Sequence, residues 1–249
     1  MTPLDLIQSM FSDFPNRVMV LDNETWSTRA NALVTNMGFV VYDKAQRKVI
    51  YAEELALAKH QQLNRHIDPS TLQWWATKVD SLEARERAFL PDTKAGCVNA
   101  GLAIDVMANA YEDFECKGFV GNSPRFDIAQ YESLVEDYGG RVPYNFYEER
   151  DLREVLRVLP HVREAYYAPR FVPLAFFDTE MLAALVAAGK TAQGELPHLF
   201  TYANSWGGQC DFAEATCVCL THHVALHDAI WEAYILDKAI HPTDFLAEG

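Results

Sequence analysis

Asp22 and Glu24 close the apolar run Val18 to Leu21 in the stretch Arg17-Val-Met-Val-Leu-Asp22-Asn-Glu24-Thr-Trp26. In a strand, an i, i+2 pair puts both carboxylates on one face, about 6–7 Å apart along the chain. Like charges held that close drive at least one group to protonate unless a cation sits between them. One reading is therefore a divalent-metal site at the end of a core strand. The other is a turn, which Asp-Asn readily starts. Taken singly, the triplet favours neither.

Asp127 ends Gly121-Asn-Ser-Pro-Arg-Phe-Asp127, where an apolar strand turns into a helix start. A carboxylate there is held rigidly near a strand end, although a helix cap accounts for it more simply. A further carboxylate lies in His223-Val-Ala-Leu-His227-Asp228-Ala-Ile-Trp-Glu232-Ala233. Ala225, Ala229 and Ala233 recur at helical spacing and let the helix approach a sheet closely. Asp228 shares a stripe with Ala225, Ala229 and Glu232, so it points inward. An inward carboxylate needs a partner, and a metal shared with Asp22 and Glu24 supplies one. His223, five positions earlier, can lean over the site from the helix start. For that histidine alone, a solvated position near a helix end is equally credible.

Three other groupings compete. Phe176-Phe-Asp178-Thr-Glu180 repeats the D-x-E pattern, but too little chain follows it, and Asp178 more simply caps a helix over residues 181–188. His227 and Glu232 repeat the five-residue spacing one turn later. That choice replaces the final Asp by Glu and loses the matching alanines, so these two read as helix-surface residues or as groups behind the ligands. Cys210, Cys217, Cys219 and the His222-His223 pair lack the tight cysteine pairs of a zinc site.

The positioning elements follow from pattern. A short helix spans residues 3–12. Strands at 18–22, 33–42 and 48–52 form an antiparallel meander. Asp68-Pro-Ser-Thr opens a helix carrying Leu72, Trp74 and Trp75. Helices over 81–89 and 97–114 precede a strand at 118–121. A helix from 128 to 135 breaks at Gly139-Gly140, a last strand lies at 143–146, and a helix covers 150–159. Residues 160–215, rich in Pro, Gly and aromatics, read as an insertion before the final helix at 221–238. This order predicts an α/β fold: a mixed five-stranded sheet flanked by helices, with residues 1–249 as one domain.

A formal charge of −14 over 249 residues disfavours a broad basic track for duplex DNA and adsorption to an anionic membrane. It leaves a nucleic-acid substrate open, because bound metal ions supply positive charge locally. The first residues lack a signal-peptide pattern and no uncharged stretch approaches membrane-spanning length. Five cysteines without a C-x-x-C pair suggest reduced thiols, hence a cytoplasmic protein.

Together, D-x-E at a strand end, F-D after a G-N-S turn and H-x-A-x-x-D-A on the last helix resemble the DEDDh 3′–5′ exonucleases, which have a ribonuclease-H-like fold. Thr71-Leu-Gln-Trp-Trp75 and Arg150-Asp-Leu-Arg153 are similar to a narrower branch, the phage exonuclease-A-like and mycobacterial exoribonuclease-like group. The resemblance spans residues 17–159 and 221–238, leaving out the insertion and the N-terminal helix. It implies two Mg²⁺ or Mn²⁺ ions held by Asp22, Glu24, Asp127 and Asp228, with Asp22 touching both and His223 as general base. Ions about 3.5–4 Å apart activate a water and stabilise a leaving 3′ oxygen. The implied reaction releases nucleoside 5′-monophosphates from the 3′ end of single-stranded RNA or DNA.

For substrate contact the expected residues are Thr25, Trp26, Trp74, Trp75, Asn122 and Arg150. A base stacks on an indole without regard to sequence, although at least one of Trp74 and Trp75 is expected in the core. Trp26 could wedge against the terminal base, and Arg150 could hold a phosphate or pair with a carboxylate. Relatives in this superfamily are often dimers, so a homodimer is admitted. The alternative from another class is a non-catalytic interaction or regulatory module that keeps the fold. Such a module gains nothing from four converging carboxylates.

Overall fold

The computed structural model describes residues 9, 11–92, 96–191, 201–203 and 215–242. The expected helix at 3–12 falls almost wholly outside them. Three long strands come first: β1 (Arg17–Thr25), β2 (Val34–Asp43) and β3 (Lys48–Leu57). They form the antiparallel meander, with Asp22 opposite Gly38 and Glu24 opposite Asn36. Next come α1 (Pro69–Thr77), α2 (Leu82–Ala88), β4 (Cys97–Val98), α3 (Ala100–Asp113), β5 (Phe119–Gly121) and α4 (Asp127–Tyr138). Then follow β6 (Glu149–Asp151), α5 (Leu152–Val158), α6 (Pro160–Tyr166), β7 (Phe171–Pro173), α7 (Thr179–Thr191), β8 (Thr201–Ala203), β9 (Cys217–Cys219) and α8 (Ala225–Ile240).

The main sheet has six strands in the order β4-β3-β2-β1-β5-β6, and β5 runs parallel to both β1 and β6. Six replace the expected five because Cys97–Val98 pairs with β3 rather than opening α3. The side chain of Asn99 accepts from the N–H of Leu102 at 2.8 Å, which starts the helix at Ala100. The expected strand at 143–146 forms instead at 149–151. Pro143 has no N–H to give a ladder, and Asn145 and Glu148 close a capping box around a 3₁₀ turn.

The central strand β1 is buried on both faces, and its alternation divides the core. Met19 and Leu21 pack with Phe39, Ile104, Met107 and Tyr131 beneath α3 and α4. Val18 and Val20 pack with Val40, Tyr42, Leu226, Ala229 and Ala233 beneath α8. The period of two therefore directs Asp22 and Glu24 to the α8 face. Gly38, beside Asp22, lets that helix come close: a Cβ there would lie 2.1 Å from the carbonyl carbon of Ala225.

The insertion is not plain loop. Val162, Val172, Phe176, Phe177 and Leu182 join the core cluster on the α8 side. β7, β9 and β8 make a small antiparallel sheet. Among the described residues, no helix is long and apolar enough to cross a membrane.

Candidate active site

The α8 face of β1 presents Asp22 and Glu24, and α8 returns Asp228 and, one turn later, Glu232. All four line one cleft of about 680 Å³, with Trp74, Asn122, Tyr166, Tyr167, Arg170 and His223 around them. Oxygen and nitrogen donors of Glu24, His223 and Asp228 lie within 4.8 Å of one another. That set is mostly hard oxygen, which suits a hard divalent cation.

Asp127 sits behind these groups, buried at the first turn of α4. Its Oδ1 accepts from the backbone N–H of Asn23 at 3.1 Å, and its carbonyl accepts from Nδ2 of Asn23 at 3.0 Å. The middle residue of D-x-E is thus the clamp that fixes Asp127 against β1. In the sequence Asn23 shows only a turn tendency, which gives no sign of this role.

Burial raises Asp22 well above the usual carboxylate range, and the charges of Asp228, Asp127, Glu24 and Glu232 add to the shift. Burial likewise raises Glu24 and Glu232, with neighbouring carboxylates adding to each. Asp127 is pushed by burial up to about 7. Such a cluster is costly until a cation enters it.

The cation already present is Arg170, supplied by the insertion. Its guanidinium donates through Nη1 to Oδ1 of Asp228 in a buried ion pair. Oδ2 of Asp228 accepts from the backbone N–H of His223 at 2.7 Å. His223 is held at φ 62°, a left-handed conformation uncommon outside glycine. Its ring meets Trp74 edge-on at 5.0 Å. Burial lowers the His223 pKa, Asp228 opposes the shift and Arg170 reinforces it, so the imidazole is neutral at pH 7.

Other expected contacts divide. Trp74 is 39% exposed at the cleft, whereas Trp75 is 1% exposed and donates through Nε1 to the Thr25 carbonyl at 2.9 Å. Thr25 lines the cleft, its hydroxyl donating to the Ser27 carbonyl at 2.7 Å. Asn122 also lines it and donates to the Tyr166 hydroxyl at 2.8 Å.

Trp26 is not brought into the cleft. β1 ends at Thr25, so its alternation stops there, and the indole packs on Phe89 and beside the Trp75 cluster. Arg150 is not brought there either. It donates to the carbonyls of Tyr147 and Glu149 and lines a separate apolar cavity with Phe11, Phe14 and Leu236. The arginine of that motif whose charge reaches the site is Arg153, which partly offsets the upward shifts of Asp127 and Glu232.

Asp178 is a helix cap, accepting from the N–H groups of Glu180 and Met181. His227 and Glu232 are buried, so neither is a surface residue; Nδ1 of His227 accepts from the N–H of Thr221 at 2.9 Å. Cys217 and Cys219 lie on β9, and among the described residues no cysteine joins a metal-capable group. Cys210 lies outside those residues. Arg170, Tyr166 and Tyr167 had one signal in the sequence, the aromatic and basic run Tyr166-Tyr-Ala-Pro-Arg170.

Residues 16–193 match the family model of the 3′–5′ exoribonuclease Rv2179c-like domain. No curated protein matches the sequence. Among solved structures, the chain is similar to the nuclease domain of 3′hExo, a DEDDh family member, bound to rAMP. That likeness has a TM-score of 0.52 and 8% identity over 92% of this chain and 94% of that one. It is also similar to cell-death related nuclease 4, with TM-score 0.48 and 16% identity over 91% and 64% of the two chains. A third likeness is to a zinc-bound complex of E. coli exonuclease I with single-stranded DNA, with TM-score 0.47 and 16% identity over 94% and 43%. This chain spans less than two thirds of the length of the last two. The first likeness shows the fold, a ribonuclease-H-like α/β arrangement.

Proposed function

From its membership of the Rv2179c-like 3′–5′ exoribonuclease domain family, to which the chain belongs, we propose that it is a metal-dependent 3′–5′ exonuclease. It shortens single-stranded nucleic acid from the 3′ end and releases nucleoside 5′-monophosphates. The observation that carries this reading is the approach of Glu24, His223 and Asp228 to within 4.8 Å in a cleft that also receives Asp22.

Glu24 and Asp228 would hold one Mg²⁺ or Mn²⁺ ion, Asp127 would serve a second, and Asp22 would serve both. Ions in those places supply a water of lowered pKa and stabilise the leaving 3′ oxygen. His223, neutral at pH 7, takes the proton of the attacking water at a ring nitrogen. Trp74 offers an exposed face at the cleft on which a base stacks. With a net charge of −14, the chain grips only a few terminal nucleotides, and the phosphate contacts fall mainly to the ions.

The description of the family favours RNA over DNA as the polymer. We read residues 1–249 as one exonuclease domain. A cytoplasmic location rests on the odd cysteine count without a C-x-x-C pair, and a homodimer rests on the family resemblance.

The test is incubation of 5′-labelled single-stranded RNA and DNA with Mg²⁺ or Mn²⁺. A 3′-shortening ladder that disappears in Asp22→Ala and Asp127→Ala supports the enzyme. Absence of shortening with both polymers supports the non-catalytic module instead.

A further inference from the structure

Glu232 is a carboxylate that the assignments above leave unused. It is 2% exposed, stands one helical turn after Asp228 and lines the same cleft as Asp22 and Glu24. Its Oε2 is buried without a hydrogen-bond partner. The neighbouring charge that acts on it most strongly is Asp127, followed by Asp228. Two arginines offset this, yet neither pairs with it. Arg170 gives Nη1 to Asp228, and Arg153 is exposed. A buried carboxylate oxygen without a hydrogen-bond partner, in a cleft lined by three further carboxylates, is the environment that a hard cation relieves.

We propose that Glu232 is a direct ligand of the second ion, together with Asp22 and Asp127. The inference rests on the two-ion reading above and deepens it. Without Glu232, that ion has a poor donor set. Oδ1 of Asp127 already accepts from the backbone N–H of Asn23, which leaves Asp127 fewer lone pairs to offer an ion. Mg²⁺ and Mn²⁺ sites take about six ligands, mostly oxygen. Oε2 of Glu232 adds an anionic oxygen from a buried helix. A functional consequence follows. With three carboxylates around it, the second ion is resident before any nucleic acid arrives and does not need a substrate phosphate to hold it.

The test counts Mn²⁺ ions bound to the full chain without nucleic acid, by the electron paramagnetic resonance signal of free Mn²⁺. The wild-type chain is expected to bind two ions. Glu232→Gln keeps the shape and is expected to keep one ion at wild-type affinity while the second weakens at least about 10-fold. Glu232→Asp, a backup should the amide variant fail to fold, is expected to weaken the second ion alone. Wild-type affinity for both ions in a folded variant overturns the proposal, as does equal weakening of both. A wild-type chain that shortens RNA but binds one ion without substrate also overturns it and leaves the exonuclease reading standing. A wild-type chain that neither binds Mn²⁺ nor shortens either polymer overturns both.

Discussion

Arg170 and Asp228 form a buried ion pair across the cleft, tying the insertion to the last helix. Because Asp228 also accepts from the N–H of His223, one carboxylate holds both the insertion's cation and the turn that carries the histidine. Removing one partner of a buried pair leaves the other uncompensated, at about 3–5 kcal/mol. Metal-free Arg170→Met is therefore expected to lose stability on that scale, and saturating Mn²⁺ is expected to restore most of it. Urea midpoints in EDTA and in Mn²⁺ measure the difference. Equal losses in both conditions would mean that Arg170 acts through its packing on the Trp231 ring, 5.8 Å away.

Stability without metal should fall as pH rises. Asp127 moves from 3.8 when unfolded to about 7 when folded, so between those values the folded chain keeps a proton that the unfolded chain has lost. Its contribution is complete below about pH 4 and is lost as pH climbs through about 7, a change of about 4 kcal/mol for this group. Asp22, Glu24 and Glu232 are shifted in the same direction. Bound ions reverse the slope, because they hold the ionised forms and compete with protons. Melting temperatures at pH 5 and pH 8 in EDTA should drop, and in Mn²⁺ they should hold or rise. A flat profile in EDTA would show that the carboxylates are already compensated.

His223 should separate base chemistry from metal binding. Replacing it with Asn or Ala is expected to lower kcat by about 10²–10⁴-fold while Mn²⁺ affinity stays within a few-fold. Because burial lowers its pKa, the acid limb of kcat should fall below the ordinary histidine value of about 6.5. A large loss of Mn²⁺ affinity would instead make His223 a ligand, a role its approach to Glu24 and Asp228 also permits.

The two adjacent tryptophans should respond differently. Trp74→Ala is expected to weaken substrate binding by about 1–3 kcal/mol per stacked base, raising KM with little change in stability. Trp75→Ala empties a buried site and frees the Thr25 carbonyl, costing about 3–5 kcal/mol of stability. Melting curves beside KM for a short oligonucleotide distinguish the two.

Sequence patterns reveal what repeats. The apolar alternation of β1 to β3 and the small residues of α8 carry local periods, and they placed Asp22, Glu24 and Asp228 on facing surfaces. Arg170 has no such signal. Its partner is 58 positions away, and no periodicity relates a loop in the insertion to a helix beyond it. The pattern leaves Glu232 open between the helix surface and a place behind the ligands for a related reason. The alanine stripe marks one face of α8, but the insertion covers other faces, so the helix is buried nearly all round. The two-residue strand β4 is too short to show a period at all.

Gly38 carries a prediction about how closely α8 must approach. A Cβ at this position would lie 2.1 Å from the carbonyl carbon of Ala225 and 2.2 Å from the nitrogen of Leu226. Both neighbours are backbone, so neither can swing aside, and the whole start of α8 must move. That start, Ala225, lies two residues after His223 and three before Asp228, and Gly38 itself pairs with Asp22. Overpacking costs about 1–3 kcal/mol, and a misplacement of about 1 Å near a reacting centre costs about 10²-fold in rate. Gly38→Ala is expected to lose both. Gly118→Ala is the comparison, since a Cβ there presses on the Val18 side chain at 2.7 Å, away from the cleft. It is expected to lose stability but keep kcat per folded molecule. Melting temperature and kcat measured together on the two variants test this directly. Wild-type kcat in folded Gly38→Ala would mean that the site tolerates a shifted α8.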